Sequence, residues 1–189
     1  EQGNVTEVLI SKTLYLKHTT HFNNALEIIK QVYPSYYMLV KNYIKKVVFY
    51  QGKANSFATI QAHGTVFFNV KDEYSEVYFL DNILHQCAHV FFNALTFNKK
   101  ELFKMPHTSD LYLFTEEDDD RGFVLYDRYH GLFTQTNINI CMDKCINQKI
   151  FDGEQHFELL GRFTSNMTRF SRAIRKFNKI NKYKKEGLI

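Results

Sequence analysis

The stretch YSEVYFLDNILHQCAHVFFNALTF, residues 74–97, decides the fold class. Val77, Leu80, Ile83, Leu84, Ala88, Phe91, Phe92 and Leu95 recur at intervals of three or four, the period of an α-helix with an apolar face. The segment reads as one long, largely buried helix, which needs other elements around it. Downstream, residues 123–148 resume helical spacing through Phe123, Tyr126, His130, Phe133, Asn137 and Ile140. From Glu154 to about Lys182 the spacing predicts a last helix, basic towards its end with Arg169, Arg172, Arg175, Lys176, Lys179 and Lys182. Upstream, Phe22, Leu26, Ile29 and Val32 place a helix over 21–33, closed by Pro34. Residues 36–50 begin with helix-like spacing and end in the strand-like VVFY. SFATI (56–60) and TVFFNV (65–70) read as a small antiparallel hairpin. Residues 98–121, with Pro106 and the acid run EEDDD (116–120), read as an irregular loop. The sum is a mostly helical α+β domain with a two- or three-stranded sheet on one side.

Composition agrees with a folded, soluble chain. Its 189 residues suit a single domain over 1–189, and 44% hydrophobic residues with only 8 Gly and 2 Pro exclude disorder or low complexity for the whole. A net charge of +4 is too small to argue for nucleic acid as a partner. No apolar run approaches the roughly 20 residues that span a bilayer, so no membrane partner is expected. Three Cys at no framework spacing fit a reducing, cytoplasmic setting; Cys87, Cys141 and Cys145 read as small core residues. A start at Glu1 rather than Met suggests that an N-terminal region is missing.

The chemistry is concentrated in His85-Gln86-Cys87-Ala88-His89. Histidines at i and i+4 project from one helical face about a turn apart, so both imidazoles can bind one metal ion. His130, in the next strongly periodic helix, is the candidate third ligand, since two packed helices can bring three rings to one point. The same spacing equally suits core histidines packed on one face. Of the others, His63 reads as a turn residue and His107 as a loop residue, while His18, His21 and His156 are expected to face solvent. Gln86 narrows the reaction type. A zinc peptidase of the HExxH kind needs Glu there as general base, and an amide cannot accept that proton. Oxygen chemistry at iron has no such requirement.

SFATIQAHGTVFFNV (56–70), LHQCAHVFFNAL (84–95) and RGFVLYDRYHGLFTQ (121–135) together resemble the HExxH-type peptide β-hydroxylases, iron- and 2-oxoglutarate-dependent enzymes that modify ribosomally made precursor peptides. The resemblance runs in order and spacing over roughly 36–145, leaving 154–189 as a C-terminal helix and basic tail. It implies one catalytic domain in which His85, His89 and His130 hold Fe(II), with 2-oxoglutarate as co-substrate and a precursor peptide as partner. Gln86 stands where the family has Glu and would act beside the ligands.

A guanidinium suits the distal carboxylate of 2-oxoglutarate, and Arg121, then Arg128, are the candidates for it. Both also suit pairing with the acid run. Tyr126, one turn before His130, and Ser56 could add polar contacts to the pocket. Two rivals remain: a metal-free peptide-binding relative, for which Gln86 speaks, and a zinc hydrolase with an unrecognised base.

Overall fold

In a computed structural model, which describes residues 9–99 and 106–185, the chain is mostly helical with one small sheet. Helix α1 (Lys12–Val32) starts at Ser11, whose hydroxyl accepts from the Leu14 N–H at 3.1 Å. It begins nine residues before the segment that periodicity marks, because its buried stripe runs Leu14, His18, Ala25, Ile29, Val32 and so includes a polar residue. Pro34 ends α1 and opens α2 (Pro34–Tyr43) at its first position, where the absent N–H costs nothing.

The ambiguous stretch 36–50 divides between α2 and strand β1 (Lys46–Tyr50). Strand β2 (Phe57–Ala58) is short, because Ile60–Ala62 turn into a 3-10 helix, and β3 (Thr65–Asn69) follows. The antiparallel pairing expected of the hairpin exists over two residues, Phe57 with Phe67 and Ala58 with Val66. The longer pairing is parallel, β1 against β3 from Lys46–Thr65 to Tyr50–Asn69, giving the order β1-β3-β2.

Helix α3 (Glu76–Leu95) runs through the middle of the molecule. Ser75 caps it by accepting from the Tyr78 N–H. Val77, Phe79, Leu80, Ile83, Leu84 and Ala88 lose all exposure, against α1 and the sheet on one side and later helices on the other. After it come the single turn α4 (Tyr112–Thr115), α5 (Leu125–Asn147) and the long α6 (Gly153–Lys185). One large core joins α1, α2, the sheet, α3, α5 and the start of α6. A smaller cluster of Leu111, Phe114, Leu125 and Phe177 fastens residues 106–124 to α5 and α6. Asp120, fully buried, adds an ionic fastening of the acid run, to Lys176 of α6 and, at 3.3 Å, to Arg128 of α5. No described helix is long and apolar enough to cross a membrane. The N-terminal start, the tail 186–189 and the side chain of Lys182 lie outside the described residues.

Three histidines differ from the expectation of solvent exposure. His18 is buried at 1% exposure between the rings of Phe49 and Phe79, because it shares a helical face with Leu14 and Ala25. His21 is half-buried and bonds Glu76 at 2.8 Å. Burial would push the Glu76 carboxyl up, but hydrogen bonds from His21, its own backbone N–H, Asn24 and Gln155 outweigh it and hold the pKa at about 2. His156 is also half-buried, and His63 is exposed.

Candidate functional site

Tyr78, Asn82, His85 and His89 on α3 follow at steps of four, three and four, which set them on one face of the helix. That face forms a wall of a cavity of about 850 Å³ bounded opposite by β2, the preceding loop and the end of β3. The His85 and His89 rings stand 4.9 Å apart, centre to centre. His130 arrives from α5, its Nε2 2.5 Å from His89 Nδ1, with the two rings edge to face. All three imidazoles line the cavity. His130 is held from behind by Phe92, which stacks on it at 4.8 Å and 8°.

Burial makes these rings neutral. It depresses His89 to about 3, with His130 and His85 adding to the effect. His130 falls to about 4, again through burial first, although Asp127 opposes it. His85 is lowered by burial, against Asp81 and with Arg169. At neutral pH each ring therefore keeps one nitrogen lone pair, the form in which imidazole binds a metal ion.

The rings are not set as in a finished metal site: among the described residues no group of three His, Cys, Asp or Glu has that arrangement. The reason is the His89–His130 contact. Nitrogens bound to one ion by bonds of 2.0–2.1 Å keep about 3 Å between them, so these two must part by roughly half an ångström to share one. In donor type the set suits a divalent first-row ion: three neutral imidazoles on one cavity.

Gln86 is 4% exposed, and its Nε2 donates to the Ser56 carbonyl at 3.2 Å. Its Oε1 is buried with no partner among the described residues. Ser56 Oγ accepts from the Asn69 N–H at 2.9 Å and lies 3.1 Å from the Tyr78 hydroxyl. Tyr78 spends its proton on the Asn69 carbonyl at 2.5 Å, so the Ser56 hydroxyl donates to Tyr78. Burial pushes Tyr78 up to about 12, so it stays protonated. The network pins β2 and β3 to α3 and shapes the cavity wall.

The structure brings His85, His89, His130, Gln86 and Ser56 together. Tyr126 stands just behind: its hydroxyl donates to Asn93 at 3.2 Å and lies 2.7 Å from Thr96 Oγ1, and its ring is 6.1 Å from that of His130. Neither arginine lines the cavity. Arg121 is exposed, pairs with Asp118 at 2.9 Å and lies over the Tyr112 ring. Arg128, two residues before His130, faces the other way and is taken by Asp120. Among the described residues the cations that do line the cavity are Lys53 and Lys71, and no carboxylate lines it. Sequence reading missed these lysines with Asn69, Tyr78 and Asn82; for the last two the signal was present, in the polar steps along α3.

No family model matches the chain, and no curated protein matches it either.

Proposed function

We propose that this chain is a non-haem iron, 2-oxoglutarate-dependent oxygenase that hydroxylates a side chain of a precursor peptide in the cytoplasm. The observation that supports the reading most is the convergence of His85, His89 and His130, neutral and half-buried, on one cavity wall. These three residues would hold the ion. Bound there, ferrous iron with 2-oxoglutarate and dioxygen supplies the oxidising power to hydroxylate an unactivated C–H bond. Three uncharged ligands leave the full charge of a divalent ion to be balanced by a dianionic co-substrate. Lys53 and Lys71, at the cavity, are better placed than Arg121 or Arg128 to attract its distal carboxylate. Phe92 backs His130 with an apolar face, and Gln86 steadies the wall through Ser56.

Hydrolysis at zinc has less support. Among the described residues no carboxylate lines the cavity to act as base, the Gln86 amide is committed to Ser56, and Tyr78 keeps its proton. The second reading, a metal-free peptide-binding protein, is favoured by one observation: His89 and His130 satisfy one another directly.

Elemental analysis of protein reconstituted with ferrous iron under anaerobic conditions tests the proposal. One iron per chain, lost in His89→Ala, together with oxygen uptake that needs 2-oxoglutarate, is the expected result. Protein that takes up no iron would leave the metal-free reading.

A further inference from the structure

A second cavity, of about 890 Å³, lies between α5, α6 and the acid loop. Along α6, Arg169, Arg172, Lys176 and Lys179 follow at steps of three, four and three, one helical face, and all line it. The charge on this face is uneven. Lys179 is neutralised by Glu117 at 2.6 Å, and Lys176 by Asp120 and Glu117. Arg169 and Arg172, and Arg175 beside them, have no ion-pair partner among the described residues. The unpaired guanidiniums are thus at the end nearer the histidines, where the charge of Arg169 reaches His85. His130 lines the first cavity and its chain neighbour Gly131 lines the second. A side chain at Gly131 would meet nothing within 4 Å, so a glycine that weakens the helix interior leaves the cleft floor open.

We propose that this cleft docks an acidic segment of a peptide, alongside the histidine cavity. Guanidiniums at 169, 172 and 175 are spread over about 9 Å of helix, the reach of roughly three extended residues. Their planar forks suit carboxylates. Asp119 and Asp127 on the same cleft oppose an evenly charged phosphate backbone but tolerate a peptide whose charges are spaced. Phe123 and Leu132 in the cleft wall suit apolar side chains. The proposal extends the peptide-substrate reading, but docking needs no metal, so its failure and that of the iron site are separate results.

The test is fluorescence anisotropy of a labelled, end-blocked peptide of alternating glutamate and glycine with chelator-treated protein, competed by the same peptide unlabelled and by a single-stranded oligonucleotide of matching length. The peptide is expected to bind, with affinity falling at least tenfold in Arg169→Ala/Arg172→Ala and unchanged in Lys41→Ala on α2. Gly131→Leu, which fills the cleft and keeps every charge, should also weaken binding at least tenfold with an unaltered circular dichroism spectrum. Equal affinity in wild type and the double arginine variant overturns the proposal. So does full affinity in Gly131→Leu, which would mean diffuse attraction, and so does tighter binding of the oligonucleotide.

Discussion

The Gln86 amide donates to the Ser56 carbonyl across 3.2 Å, joining the centre of α3 to the residue that leads into β2. In a motif where Glu would serve as base, the residue works here as a strut between helix and strand. A carboxylate could not replace it, since it would set two acceptors against each other.

Gln86→Glu should therefore cost about 1–3 kcal/mol at pH 7, the penalty of a buried bond lost and a charge brought in. Burial and the facing carbonyl raise the folded-state pKa of the new carboxyl above its unfolded value. Its protonated form can donate, so the deficit should shrink as pH falls through that raised value. Urea melts of both proteins at pH 7.5 and pH 5 check it; a deficit independent of pH would count against the strut.

The neutral histidines predict acid sensitivity. His89 and His130 have folded pKa values of about 3 and 4, below the unfolded value near 6.5. Such groups contribute stability that is fully present above the unfolded pKa and is lost as pH falls towards the folded one. Between pH 6.5 and pH 5 each can cost at most about 2 kcal/mol, less where water reaches the ring. The difference in unfolding free energy between these two pH values should be smaller in His89→Asn and His130→Asn than in wild type.

If the iron reading holds, the co-substrate should ignore both arginines. Arg121→Ala and Arg128→Ala should leave the midpoint of an anaerobic 2-oxoglutarate titration of the ferrous protein unchanged, whereas Lys53→Ala/Lys71→Ala should raise it several-fold. The charge-transfer absorbance of the chelate is the readout. A shift in Arg121→Ala alone would return the anchor to the acid-loop side.

Gly161 lies inside α6, and a methyl group there would meet nothing within 4 Å. Gly161→Ala should stabilise the protein by about 0.5–1 kcal/mol, through reduced freedom of the unfolded chain. Thermal unfolding checks it, with a lower melting temperature as the contrary result.

Helix α3 was legible because Val77 to Phe92 form a continuous buried stripe, although Leu95 at its end is exposed; of the positions that marked α5, Phe123 and Ile140 are exposed. The histidine trio was legible because two of its members share a face and the third lies on a helix that must pack against them. The parallel pairing of β1 with β3 was not, since hydrophobic alternation marks a strand but not its partner. His18 was missed because a lone imidazole carries no sign of burial, which here comes from Phe49 and Phe79, distant in sequence. The arginines were misplaced for a similar reason: the ion pairs that hold them depend on how the acid run folds, with Asp118 exposed and Asp120 buried.

Strand β2 is two residues long and sits at the edge of its sheet, with Phe57 exposed. Such a segment opens locally at little cost, whereas the amides of α3 open only with the core. Amide hydrogen exchange should thus run fast at Phe57 and Ala58 and slowly from Leu80 to Val90. One wall of the histidine cavity thus belongs to the central helix and the facing wall to a sheet edge tied to it at Ser56, so any widening of the cavity falls to Phe57 and Ala58 beyond that tie while the histidines of α3 stay in register.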